Sequence, residues 1–313
     1  MTGAEPGYLS PAFGQSYGDF GTPVRLPASG LQLLRRPLGP DSWDYIGPYP
    51  YAMCTDWSAL DQDLSTLAIP GAVSLTFVAD PFATGTVQKA TRGWDLCRPF
   101  KTHYVADLTA DWRRSRPKEM RRIARRALET HEMEIVADPA ALAGTLWDLY
   151  QTTVARHRVR GLQALSPATV AKQLAVPGGL LMTARDGAGL AGAMLSFCHG
   201  ATANLHLMFL DPRAHRQNTS YALIHATLEA LEARGLTHAN LGGAAGHDDA
   251  ARDGLARFKA GWTTQTRSAL ICGKVLDAAR YDTLAGDAGP GGFFPAYRAP
   301  GAAFADGGDP VPD

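Results

Sequence analysis

A chain of 313 residues with 45% hydrophobic and 19% charged side chains can bury one large core or two of ordinary size, and reads as a soluble globular protein of one or two domains. Thirty basic against thirty acidic residues leave no net charge to draw the whole molecule to nucleic acid or a membrane, so any such affinity has to be local. Cys54, Cys97, Cys198 and Cys272 are far apart, form no CxxC pair and lack zinc-site neighbours, which reads as free thiols in a reducing cytoplasm. No basic start followed by an apolar run opens the chain, and no window approaches about 18 consecutive apolar residues, so a cytoplasmic protein without a membrane span is expected.

Residues 1–30 are rich in Gly, Pro and Ala with little periodicity and are expected to be loosely held. From 31 to 111 the chain is strand- and turn-like, with SALDQDLSTL (58–67) a helix and GAVSLTFVAD (71–80) a buried strand. The run DWRRSRPKEMRRIARRALETHEME predicts a helix over 112–135. Met120, Ile123, Ala124, Ala127 and Leu128 recur at helical spacing, while Lys118, Arg121, Arg122, Arg125 and Arg126 crowd the other side. Helices follow at 139–158 and 166–175, the second opened by Ser166 as cap with Pro167 at the first helical position. Strands at 179–186, 189–199 and 201–211, joined by short links, predict an antiparallel meander. The order closes with a helix at 217–234 ended by Gly235, a strand at 237–243, a helix near 249–260 and a strand at 266–275. Residues 286–313 form a Gly/Pro-rich tail in which FFPAYR (293–298) is apolar enough to dock.

One short stretch stands out. DGLARFKAGWTT (253–264) sets a single lysine, Lys259, between Phe258 and Gly261-Trp262 in a chain with six lysines among its 30 basic residues. Together with NTSYALIHATLEALEARGLTHANLGG (218–243), this wording resembles the Fem-type (FemABX-like) branch of the GNAT acyltransferases. There a helix led by a small polar segment precedes a strand ending in glycines and an F-K-x-G-[FW] motif. The resemblance implies an α/β (α+β) fold, a mixed and largely antiparallel sheet flanked by helices. It also implies two GNAT-like halves: a degenerate first half at 31–111 and the acyltransferase domain at 112–285. SLTFVADPF (74–82) and HLMFLDPR (206–213) are a short internal echo of such a duplication.

The family forms amide bonds on amines without a tightly bound cofactor. Its best-known members take an aminoacyl group from aminoacyl-tRNA to a peptidoglycan precursor, and relatives on the same fold use acyl-CoA or acyl-carrier donors. Ordinary members place Q/R-x-x-G-x-G/A before the helix that follows the central strand, because backbone N–H groups there must approach a pyrophosphate. In DPRAHRQNTSYALI (211–224), Asn218 and Ser220 stand where those glycines would be, and no glycine occurs from 201 to 234. Arg213, His215 and Arg216 just before this turn suit a phosphate held by side chains. The arginine stripe suits tRNA phosphates, or else is a solvated helix face; Glu119 is the one acidic residue within 112–126.

Acyl transfer needs an unprotonated amine, stabilisation of an oxyanion and a proton for the leaving group. Lys259 can meet the second need or clamp a phosphate: a compact ammonium threads between aromatic walls, Phe258 and Trp262, more readily than a guanidinium, with Gly261 leaving room for substrate. Its bland reading is a cation favoured at a helix C-terminus. Tyr221 can supply a proton or sit in the core. Gly242 and Gly243, with Gly246, can seat a small-molecule or peptide amine whose proton His247, Asp248 or Asp249 takes, although an aspartate there also suits a helix N-cap. Asn204 and His206 alternate with leucines along one strand and can face the cleft, and Lys101 is a further phosphate contact. No metal site and no DNA partner is expected. A non-catalytic scaffold that binds RNA or protein through the stripe is the remaining alternative.

Overall fold

Pro117 lacks an N–H and so divides the long basic run that periodicity alone reads as one helix. In this computed structural model, which describes residues 5–157, 161–243, 254–286, 293–302 and 304, the run is broken between Ser115 and Lys118. The chain order begins α1 Pro11–Ser16, β1 Thr22–Arg25, β2 Gln32–Gly39, β3 Ser42–Ile46, α2 Leu60–Leu67, β4 Ala72–Val78, α3 Thr84–Ala90 and β5 Leu96–Asp107. It continues with α4 Trp112–Ser115, α5 Lys118–Leu128, β6 Glu132–Ile135, α6 Ala143–His157, α7 Pro167–Leu174, β7 Gly179–Asp186, β8 Gly189–His199 and β9 Thr202–Leu210. Then come α8 Ala214–Gln217, α9 Thr219–Ala233, β10 His238–Gly243, α10 Gly254–Ala260, β11 Gln265–Val275 and α11 Ala278–Ala285.

The expected helix over 112–135 is therefore two helices and an edge strand. Alternating Glu132, Met133, Glu134 and Ile135 pair antiparallel with β7, Glu132 opposite Arg185 and Ile135 opposite Met182. Ser166 caps α7 as its sequence suggests, its hydroxyl accepting from Thr169 N–H at 3.0 Å. The helix expected at 217–234 is interrupted at Asn218, whose backbone is left-handed (φ 56) between α8 and α9. The meander and the glycine stop hold: β7, β8 and β9 pair antiparallel, and Gly235 has φ 79.

The chain divides into two compact units, the first built from described residues of Met1–Ser10, Lys101–Arg158 and Val170–Ser268. The second takes those of Pro11–Phe100, Val159–Thr169 and Ala269–Asp313.

In the first unit the strand order is β5, β10, β9, β8, β7, β6. All neighbours are antiparallel except β9 and β10. Helix α9 buries residues on nearly every side, among them Leu223, Ile224, Leu228 and Leu231. These share one core with Leu180, Met182 and Met194 of the sheet and Ala124 of α5. A helix so apolar all round belongs in an interior, which fits its position behind the central strands.

The second unit orders β1, β2, β3, β4 and the 269–275 part of β11, with only β3 and β4 parallel. Leu31, Leu33, Tyr45, Leu75, Phe77 and Leu270 make its core. FFPAYR docks here through Tyr297, fully buried with its hydroxyl 2.7 Å from Ser74 Oγ. The N-terminal segment is not loosely held from residue 5 onward: Tyr8 is 2% exposed and Phe13 and Tyr17 are 0%. Three aromatics in an otherwise small-residue stretch supply the buried area that composition hides. Among the described residues no helix is long and apolar enough to cross a membrane.

Candidate active site

Strands β9 and β10 run parallel and pair over three residues only, Thr202 to Asn204 with His238 to Asn240. Beyond that point β9 continues beside β8, while β10, paired with β5 on its other edge from His238 onward, continues along β5 with Gly243 opposite His103. Three polar side chains are buried where the strands part: Asn204, Asn240 and His103, at 4%, 1% and 4% exposure. Asn240 Oδ1 accepts from Gly242 N–H at 2.8 Å, and Nδ2 donates to Asn204 Oδ1 at 3.2 Å. His103 Nδ1 lies between the two amide atoms of Asn240, 3.1 Å from Nδ2 and 3.2 Å from Oδ1, so either ring tautomer can hydrogen-bond to it. Burial, opposed by the Asn240 hydrogen bond and aided by the charges of Lys259 and Lys101, lowers this imidazole to about 4.

Lys259 projects from α10 to the same place. Its Nζ donates to Gly243 O at 2.7 Å. A Cβ on Gly242, whose φ is 80, would come within 3.2 Å of that Nζ, and one on Gly243 within 3.4 Å of Lys101 Cδ. The two lysines therefore flank a Gly-Gly strand end that has no side chains to keep a ligand away. At the other end of the motif the Lys259 carbonyl accepts from Trp262 N–H at 2.9 Å, closing the helix.

The aromatic neighbours are arranged otherwise than the threading argument supposes. Trp262 is 1% exposed, with the Arg116 guanidinium 4.8 Å over its ring and His225 beside it, so it anchors the core rather than lining a path to the ammonium. A Cβ on Gly261 would strike Met120 Sδ, so this glycine makes room for α5 and not for substrate. Phe258 is half-buried and meets Tyr221 edge-on at 5.0 Å. Burial, with a smaller contribution from Glu119, raises the Tyr221 phenol, which stays protonated as a hydrogen-bond donor.

Residues 114–266 match the family model described as "Acetyltransferase (GNAT) domain". This segment is a GNAT acyltransferase domain. Over a longer span the chain is similar in fold to FemX, at TM-score 0.65 and 11% identity over 88% of this chain and 93% of that one. It is similar likewise to L-PGS from Bacillus licheniformis, at TM-score 0.59 and 14% identity over 88% and 94%. A third structure is the C-terminal domain of a candidate lysylphosphatidylglycerol synthetase from Agrobacterium fabrum, at 0.55 and 16% over 86% and 88%. No curated protein matches the sequence. The Fem-type resemblance carried by FKAGW is thus matched by the fold.

Within the GNAT domain, Asn218 is the only non-glycine among the described residues with a left-handed backbone. The turn into α9 keeps a glycine-like path although asparagine writes it, an exchange that Asn tolerates better than most residues. Ser220 is half-buried on the first turn beyond it. Arg213 does not project toward this turn's ligand side: its Nη2 donates to Asp186 Oδ1 at 3.1 Å and to Leu190 O at 3.3 Å, bracing the β7–β8 hairpin with Gln217. Arg216 is exposed.

His206 stands apart from the lysine cluster. Leu195 faces Leu207 and Ser196 faces Leu205, so His206 is the extra residue of a β-bulge in β9, which breaks the alternation expected to align it with Asn204. Its Nδ1 lies 2.9 Å from Tyr8 Oη and its Nε2 2.9 Å from Gln173 Oε1, and burial lowers it to about 3. It is a neutral, hydrogen-bonded histidine holding the bulge. Asn204, by contrast, joins the Asn240 cluster.

Lys118, Arg121, Arg122, Arg125 and Arg126 are all exposed along α5. Arg122 pairs with Glu119 at 2.9 Å, and Arg125 comes within 4.0 Å of Glu129. His247 and Asp248, with Gly246 and Asp249, lie outside the described residues. Sequence reasoning missed His103, Asn240 and Arg116. A polar Asn240 within the apolar core of THANLGG was the available signal for the first two. Nothing in the arginine run singles out Arg116, which is 5% exposed between the rings of Trp112 and Trp262.

Proposed function

We propose that the protein is a Fem-like acyltransferase that forms an amide on a small-molecule or peptide amine, with aminoacyl-tRNA as donor. One observation carries this reading: Lys259 and Lys101 flank the side-chain-free Gly242–Gly243 end of β10, where β9 and β10 diverge. The amine nitrogen attacks the acyl carbonyl, and the carbonyl π pair moves onto oxygen. Lys259 stabilises that oxyanion or holds a phosphate beside it. Collapse restores the carbonyl, expels the ester oxygen of the donor, and the amine proton ends on that oxygen. The exposed cations of α5 support a polyanionic donor, because a stripe at 118, 121, 122, 125 and 126 presents successive positive groups to a phosphate chain.

Acyl-CoA is the second reading, favoured by the left-handed Asn218 that opens α9 along a glycine-like path. Radiolabelled aminoacyl-tRNA and acetyl-CoA offered side by side to a panel of amines separate the two. Transfer from CoA alone rejects the tRNA donor, and transfer from neither rejects acyl transfer in favour of a binding scaffold. The fold likeness to a candidate lysylphosphatidylglycerol synthetase makes phosphatidylglycerol vesicles a hydroxyl acceptor to set beside that panel, where transfer would give an ester and count against the amide.

A further inference from the structure

The four cysteines read as scattered thiols in the sequence, yet strand pairing brings two of them together. Cys97 on β5 and Cys272 on β11, 175 residues apart, lie in the second unit with their sulfurs 3.7 Å from each other. The two strands are neighbours in the sheet. Two residues back along β5, Asp95 accepts from Val275 N–H at 2.7 Å and meets Lys274 Nζ at 3.6 Å, and Lys274 lies two residues onward along β11. The contacts thus step in opposite directions along the two chains, as in antiparallel neighbours. Facing residues of such strands have Cα atoms about 4.5–5.5 Å apart, inside the span of about 4.4–6.8 Å that a disulfide bridges. The sulfurs already touch, and side-chain rotation can bring them to a bond length of about 2.05 Å.

The pair is unequal in access. Cys97 alone among the four cysteines is exposed, whereas Cys272 is 0% exposed. Burial pushes the other three thiols up, Cys54 to about 11, and Cys272 is raised further by the charge of Cys97 and by donating its S–H to that sulfur. We propose that Cys97 and Cys272 form a redox modification site: a hydroperoxide oxidises the exposed Cys97, and Cys272 then closes an intramolecular disulfide that ties β11 to β5. In the first step the Cys97 thiolate attacks the peroxide, the O–O bond breaks, and Cys97 becomes a sulfenic acid while an alcohol, or water from hydrogen peroxide, departs. The two contributions of Cys97 to holding Cys272 protonated fall away once its sulfur is oxidised. In the second step the Cys272 sulfur displaces the sulfenic oxygen, which leaves as water with the Cys272 proton. Two thiols lose two electrons in all, and the peroxide gains them. In a reducing compartment the bond is transient and is reopened by a dithiol.

Peptide mapping of the full chain tests this, whatever donor the protein uses. Reduced protein exposed to a small excess of hydrogen peroxide and digested without reductant should give peptides joined Cys97 to Cys272. Cys54 and Cys198 should stay open to alkylation, and dithiothreitol should return both joined thiols. Oxidation of Cys97 to the sulfinic acid with no joined peptides, or joining no more frequent than that with Cys54 or Cys198, overturns the proposal. In Cys97→Ser, a change at an exposed position, Cys272 should remain a free thiol under the same treatment; its oxidation at the wild-type rate sinks the assignment. In Cys272→Ala the sulfenic acid has no partner, and dimedone should capture about tenfold more of it than in wild type. Equal capture would show that Cys272 takes no part. A bond across this span restricts the unfolded chain, so oxidised wild type should unfold at higher urea than reduced, a difference absent from Cys97→Ser. A lower midpoint for the oxidised chain would mean that the strands do not accept the bond, and the proposal would fall.

Discussion

The ammonium of Lys259 and the carbonyl of Gly243, 16 residues apart, are joined by a 2.7 Å hydrogen bond that brings the FKAGW helix onto the end of β10. One of the ammonium's three donors is spent on that carbonyl, which aims the charge without consuming it. Lys259→Ala should therefore reduce kcat/KM by about 100-fold or more while leaving circular dichroism and thermal midpoint nearly unchanged. Lys259→Arg should recover little, because a planar guanidinium does not fit the point contact made by a compact ammonium. Turnover near wild type in the alanine variant would remove the lysine from the reaction.

The α5 stripe makes a prediction about salt. Reversing Arg121, Arg122, Arg125 and Arg126 to glutamate should leave folding intact, since all four are exposed. It should also flatten the dependence of tRNA affinity on salt, each lost phosphate contact removing about 0.7 to 0.9 from the log–log slope. Titrations at several salt concentrations measure this. A slope unchanged by the reversal means that the stripe is a solvated helix face.

Stability should fall on mild acidification. His103 and His206 are lowered to about 4 and about 3 in the folded chain, mainly by burial, against an ordinary value of about 6.5 when unfolded. The unfolded chain therefore binds more protons below that value. The stabilising contribution is complete above about pH 6.5 and is lost as the pH drops toward the folded values, by on the order of 1 kcal/mol per pH unit per histidine. Urea midpoints between pH 7 and 5, above most carboxylate titration, check the slope. His206→Gln should make it shallower.

Gly261 and Met120 should couple. Gly261→Ala puts a methyl against Met120 Sδ, and the expected cost is about 1–2 kcal/mol. In a Met120→Ala background that cost should shrink, and a double-mutant cycle by denaturant unfolding reads the difference. Additive effects would show that the glycine serves something other than this contact.

Asn218 offers the opposite sign. Its left-handed backbone is strained for any residue with a Cβ, so Asn218→Gly should be neutral or stabilising, by up to about 1 kcal/mol, and Asn218→Val clearly destabilising. Thermal unfolding of the two variants tests the turn. Equal midpoints would mean that the turn relaxes on substitution.

Much of this molecule could be read from local pattern. Period and punctuation located the meander of β7 to β9, the cap at Ser166 and the stop at Gly235, because each is governed by a few neighbouring residues. The FKAGW wording pointed to the GNAT acyltransferases before any geometry was considered. Local pattern misled where one residue outweighed its neighbours: Pro117 broke the basic helix, Asn218 broke the next, and the bulge at His206 took that side chain out of line with Asn204.

The roles within the motif depended on contacts between distant segments. Trp262 and Phe258 are equivalent as letters, yet Arg116 and His225 claim the first for the core while the second stays half-buried against Tyr221. His103 and Asn240, 137 residues apart, became partners only when β5 and β10 paired. The resemblance carried by FKAGW named the class of protein and the lysine to examine. Which polar groups surround that lysine, and which of them are neutral, followed from strand pairing and burial, which no local window contains.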